Sequence, residues 1–184
     1  MRKPLFLSIL LVCLIAGVVF YHFWLAPRMN YNVENNEAAI SQAIYELTRI
    51  DQKIHIQQMK DMANKKVVLF SLGSQTGLAM FERGSNDKWM IETAGLGNTF
   101  HLTVADTSDG QYIVCAGDNA DHMSRIVAYV EEDSYELDIE PGEYFIVSSP
   151  LQEKTEYDMP TGAIGYNDKN EEVFRTGGPA ETAR

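Results

Sequence analysis

A chain of 184 residues, 45% hydrophobic and 22% charged, can bury one ordinary core but not several. Without Arg2 and Lys3, the only charges before residue 27, the 15 Lys and Arg fall to 13 against 26 Asp and Glu, a net charge of −13. Phosphate is bound by neutralising it with Lys and Arg, so a domain this acidic argues against nucleic acid and anionic lipid heads as ligands and favours basic partners.

The N-terminal stretch MRKPLFLSILLVCLIAGVVFYHFWLAPR holds 22 residues without a charge, Leu5 to Ala26. As a helix they extend roughly 33 Å, enough for a hydrocarbon core of about 30 Å. Arg2 and Lys3 place the short N-terminal end in the cytoplasm, and Tyr21, His22, Phe23 and Trp24 suit the far interface. Three alternatives are weaker. A cleaved signal peptide needs small residues at the cut, and Trp24 is too bulky. A lipid-attachment cysteine fails because Cys13 sits in mid-run after LLV. A buried core helix rarely stays uncharged on every face for so long. Cys13 lies inside this run and so cannot meet Cys115, the other cysteine, in one folded domain.

RMNYNVENN then reads as a linker, and NEAAISQAIYELTRI as an amphipathic helix, with apolar residues at 40, 43, 44, 47 and 50 behind an Asn cap. From Ile54 the apolar period shortens. KIHIQQM, KKVVLFSLG, GLAMFERG and KWMIET are strands separated by KDMAN, SQT and SNDK, an antiparallel meander. AGLGNT leads on to FHLTVADT, QYIVCAGD, SRIVAYVE, SYELDIE, EYFIVSS, GAIGYND and EVFR, a β-sandwich-like set.

The fold class expected is therefore α+β, mostly antiparallel β (a meander plus a small β-sandwich-like half) with one amphipathic helix, preceded by a single transmembrane helix. The organisation is a cytoplasmic N-terminus at 1–4, a signal-anchor helix at 5–26, a linker at 27–35, an extracytoplasmic domain at 36–175 (helix and meander 36–95, β-rich half 99–175) and a disordered tail at 176–184.

CAGDNADH, residues 115–122, is the most enzyme-like stretch, with a thiol, two aspartates, an asparagine and a histidine. Its flanks read as strands, and Gly117, Asp118, Asn119 and Asp121 are turn formers. Counting from Asp118 gives Ala120 and His122 where an EF-hand needs oxygen ligands, and no glycine follows. Cys115 reads as a small buried hydrophobe, and His55, His101 and His122 as solvated residues. No two histidines have zinc-site spacing. YNDKNEEV, with Asp168, Asn170 and Glu172 at alternate positions, reads as a turn, and VEEDSYELDIEPGE as a half-buried strand whose carboxylates face water. Gly73 and Gly77 lack the Gly-Lys-Ser/Thr ending of a phosphate loop. No catalytic, cofactor-binding or metal residue is assigned, and no cofactor is expected.

The signal-anchor, the short helix, IHI, VVLFSL, GLAMFERG with KWMI, IVCAGDNADHMSRIVAYV and GAIGYNDKNEEVF together resemble small membrane-anchored proteins of Gram-positive, spore-forming bacteria, a group with no assigned activity. The resemblance covers about residues 36 to 174. It implies that the central loop and the last strand pair are hairpin elements of a β domain, and it brings no catalytic residues.

The functional expectation is a single-pass membrane protein with an extracytoplasmic binding, sensing or interaction module of the bacterial envelope. It is non-enzymatic, anchored through residues 5–26, and suited to a basic envelope protein or peptide. The alternatives are an envelope hydrolase or thiol enzyme using Cys115 with a nearby histidine, and a calcium-dependent adhesion module using Asp118, Asp121 and Asp168.

Overall fold

The protein is described by a computed structural model covering residues 3–25, 29–97, 99–157 and 159–177, with side chains described from Leu10 onward apart from His22. A first helix, α1 (Lys3–Phe20), is followed by a π-helical turn, Tyr21–Leu25. The span expected over 5–26 thus does not run as one α-helix. Its α-helical part stops where bulky aromatic residues begin, and the wider turn lets Phe20 stack on Trp24 at 4.9 Å. Among the described residues no helix is long and apolar enough to cross a membrane.

The second helix, α2 (Glu37–Thr48), follows from its caps and its stripe. Asn36 is extended, and its side chain accepts a hydrogen bond from the Ala39 amide at 2.9 Å. Ile40, Ala43 and Ile44, three and four residues apart, form the buried face. The helix stops at Arg49, whose φ of 56° turns its amide back to the Tyr45 carbonyl at 2.8 Å.

Among the described residues eleven strands follow, β1 (His55–Met62), β2 (Lys65–Leu72), β3 (Gln75–Arg83), β4 (Trp89–Leu96), β5 (Phe100–Thr107), β6 (Gly110–Asp118), β7 (Arg125–Val130), β8 (Asp133–Asp138), β9 (Tyr144–Pro150), β10 (Gly162–Tyr166) and β11 (Glu172–Gly177). They form three antiparallel sheets: a first sheet ordered β1-β2-β3-β4, a second ordered β5-β6-β9 and a third ordered β11-β10-β7-β8. The chain is thus α+β, dominated by antiparallel β.

The apolar clusters reveal how these sheets stack. Ile40, Ala43 and Ile44 of α2 pack with Val68, Phe70, Ala79 and Phe81 on one face of the first sheet. Val67 and Leu69, on its other face, pack with Ala105, Val114, Ala116 and Ile146 of the second sheet. The second sheet's far face, carrying Ile113, Cys115 and Phe145, packs with Ile126, Ala128, Tyr135, Leu137 and Ala163 of the third. Four layers result, helix on sheet on sheet on sheet. The burial patterns follow from this order. Strand β2 lies between the helix and the second sheet, so all eight of its residues are buried. Strand β7 has one covered face, so its residues alternate between buried and half-buried.

Several boundaries differ from those read in the sequence. KDMAN is mostly strand, because β1 runs on to Met62 and the turn shrinks to Ala63 and Asn64, with Ala63 at φ 50°. β4 likewise takes in the first half of AGLGNT. The segment expected as linker is partly held on the first sheet. Val33 bridges Trp89, and the Tyr31 hydroxyl donates to Glu82 at 2.8 Å. Thr176 and Gly177, expected in the tail, complete β11, and residues 178–184 lie outside the described ones.

Candidate functional site

Cys115 sits in the middle of the second sheet, paired with Leu102 on β5 and Val147 on β9. Side chains alternate along β6, so Ile113 and Cys115 face the third sheet while Val114 and Ala116 face the first. The Cys115 side chain has no solvent exposure. Burial pushes its thiol well above the ordinary range, which disfavours the thiolate that any nucleophilic role needs.

The rest of the CAGDNADH loop is a turn with a buried centre. Asn119 is 5% exposed, and its side chain accepts from the Met123 amide at 2.7 Å and donates to the Met123 carbonyl at 3.1 Å. The His122 amide returns to the Asn119 carbonyl at 3.0 Å, and Asp118 accepts from the Ala120 amide at 3.4 Å. Two details depart from the sequence reading. Gly117 is inside β6, where it permits close approach, since a Cβ there would lie 2.2 Å from the Thr99 carbonyl oxygen. The left-handed position falls instead to His122, at φ 53° and exposed. The buried anchoring role of Asn119 was missed; its signal was an Asn four residues before Met123, at reach for bonding a backbone start.

The histidines do not gather around the thiol. His55 is exposed at the start of β1. His101 was expected in solvent, yet it is half-buried: it pairs with Ala116 and so faces the first sheet, opposite to Cys115. Its Nε2 lies 3.0 Å from Thr76 Oγ1 on β3, and burial lowers its pKa. Cys115 and His101 therefore belong to different layers of the core.

The acidic positions are equally dispersed. Asp168 lies in an exposed turn organised by Asn167, which accepts from the Lys169 and Glu171 amides at 3.0 Å. Asn170 accepts from Arg125, and Glu172 is held by Arg175 at 2.6 Å, a bond that lowers its pKa. Among the described residues no three His, Cys, Asp or Glu side chains come together as metal ligands would.

One concave feature combines polar groups with free sheet edges. β1, β8 and β9 each end their sheet, and a cavity of about 400 Å³ lies where β1 and β9 meet. Gln58 and Lys60 line it from β1, Tyr144 and Val147 from β9, Asp138 from the end of β8 and Glu140 from the connection that follows it. Gln58 donates to the Tyr144 carbonyl at 2.7 Å across it. Partial burial lowers the pKa of Lys60. Along β8, Tyr135 and Leu137 point into the core while Glu136 and Asp138 are exposed, so the strand bordering the groove is acidic and unpaired on one edge.

No family model matches the chain, and neither a curated protein nor a solved structure matches it.

Proposed function

We propose that this chain is a membrane-anchored, non-enzymatic binding module of the bacterial envelope. Its groove at the β1/β9 edges, beside acidic β8, takes an extended basic segment of an envelope protein. The observation that carries the reading is the coincidence of free strand edges with carboxylates at one cavity. Backbone groups of a free edge pair with an added strand, and alternate side chains of that strand then meet Asp138 and Glu140. Opposite charge steers the encounter and selects against acidic segments. The N-terminal helix serves as the anchor, with its N-terminus in the cytoplasm and the β domain outside. Leu10, Leu11, Val12, Leu14, Ile15, Val18 and Phe20 all present apolar surface along it, an arrangement suited to lipid. Anchoring raises the local concentration of the groove at the membrane face.

The test uses the full chain in detergent micelles, titrated with a short peptide of alternating Lys and Val. Binding is expected, weaker with added salt and weaker again when Asp138→Asn and Glu140→Gln are combined. Affinity indifferent to both changes would contradict the proposal. The topology is checked separately, by protease added outside intact cells: the domain from residue 29 onward should be digested, and its protection would place it on the wrong side.

A further inference from the structure

We infer that His101 is a proton-operated latch on the packing of the first sheet against the second. The face between these sheets is apolar at its centre, with Val67, Leu69, Val114 and Ala116 fully buried. At one end it becomes a polar row. Gln57 donates to Ser71 Oγ at 2.7 Å, Ser71 pairs with Thr76 in the ladder, and Thr76 meets His101 Nε2 at 3.0 Å. Ser71 and Thr76 are 7% and 3% exposed, so the middle of this row is shut away from water, while Gln57 and His101 at its ends are half-buried. Gly97, just beyond β4, closes over the ring so tightly that a Cβ there would lie 2.6 Å from His101 Cε1.

A neutral imidazole suits this setting, since its ring nitrogen can accept from a hydroxyl or donate to one. An imidazolium is held best by water or an anion, whereas the ring lies against Thr76 from β3, Gly97 and, across the ladder, Ala116 from β6, and a hydrogen bond to the Thr76 backbone offsets only part of the cost of burying the charge. The titratable groups bordering them are Asp118, two residues beyond Ala116 on β6, and His55, paired with Ser71 at the far edge of the first sheet. Asp118 is engaged with the Ala120 amide of its turn, and the His55 side chain offers no negative charge. Protonation therefore sets an only partly compensated charge at the border of two packed sheets and loosens their contact at the β3/β5 end. Burial holds the folded-state pKa of His101 below its ordinary value. The folded state binds fewer protons than the unfolded one, so the His101 contribution to stability is intact above about pH 6.5 and is lost as pH falls through the lowered folded-state value.

The experiment follows the imidazole signals of the full chain in micelles by NMR between about pH 8 and about pH 4, with His55→Gln and His122→Gln used for assignment. Melting temperature and amide exchange are measured in parallel for the parent and for His101→Gln, which keeps a hydrogen-bonding group for Thr76. Expected are a His101 midpoint below the ordinary imidazole value of about 6.5, a parent melting temperature that falls more steeply in acid than that of His101→Gln, and acid-accelerated exchange around Gly97–Leu102 only in the parent. Asp118→Asn should leave this difference in place. A His101 midpoint at or above about 6.5, or equal acid loss in the parent and His101→Gln, would overturn the inference. Should His101→Gln fail to fold, the His101 midpoint in the parent decides alone.

Discussion

Cys115 shows how one side chain changes meaning with its layer. In the sequence it stands three and six residues before two aspartates and seven before a histidine, a grouping that invites a nucleophile. In the fold its odd position on β6 turns it into the closed face between the second and third sheets. Iodoacetamide is therefore expected to leave Cys115 unmodified in the native chain, including at about pH 9, where an ordinary exposed thiol is largely ionised. Mass spectrometry should find it alkylated only once denaturant is added. Because burial raises the thiol's pKa, increasing pH exposes no thiolate until the fold itself opens. Alkylation of Cys115 in the folded protein would show that the layer breathes. This burial was legible in QYIVCAG, whose flanks are apolar. The position of His101 was not, because alternation along FHLTVADT says which residues share a face but not whether another sheet covers that face.

At the scale of elements, the strands were readable because apolar runs of strand length alternate with turn residues. FHLTVADT is β5 from end to end. Two of the boundaries that moved, after β1 and after β7, lie where an ordinary residue adopts a turn conformation, as Ala63 does at φ 50° and Glu131 at φ 55°. Neither residue type announces a turn. The stacking of three sheets was not readable either, since the second sheet joins β9 to β6 across β7 and β8, a pairing no local pattern specifies. The layers make a specific stability prediction. Phe70, fully buried between the helix and the first sheet, should cost about 3–5 kcal/mol as Phe70→Ala. Val127, on the half-buried outer side of β7, should cost about 1 kcal/mol or less as Val127→Ala, because the neighbouring water already reaches it. Denaturant melts of the two variants separate these values, and equal losses would place a further layer over the third sheet.

At the scale of the whole molecule, charge and edges come together. The second and third sheets end on the same side, at β9 and β8, and the first sheet's β1 meets them there. Seven carboxylates lie within residues 130–143, the stretch that runs along β8 to the start of β9. Arg125 answers one of them, Glu136, at 3.0 Å. A concave acidic edge on an acidic domain gives long-range attraction for cationic segments that fades with salt, while the strand edges supply short-range pairing that salt leaves alone. The carboxylate run was visible in the sequence as an outer strand face. Its meeting with Gln58 and Lys60 was not, because those residues come from the other end of the domain and are joined to it only by the stacking of the sheets.

The most direct measurement is a backbone-amide map of the full chain in micelles, recorded while the alternating Lys–Val peptide is added. Shifts are expected only at the cavity's walls, the amides of Gln58–Lys60, Asp138–Glu140 and Tyr144–Val147. Shifts gathered on another surface, or none at a peptide concentration that saturates binding by calorimetry, would contradict the proposed groove.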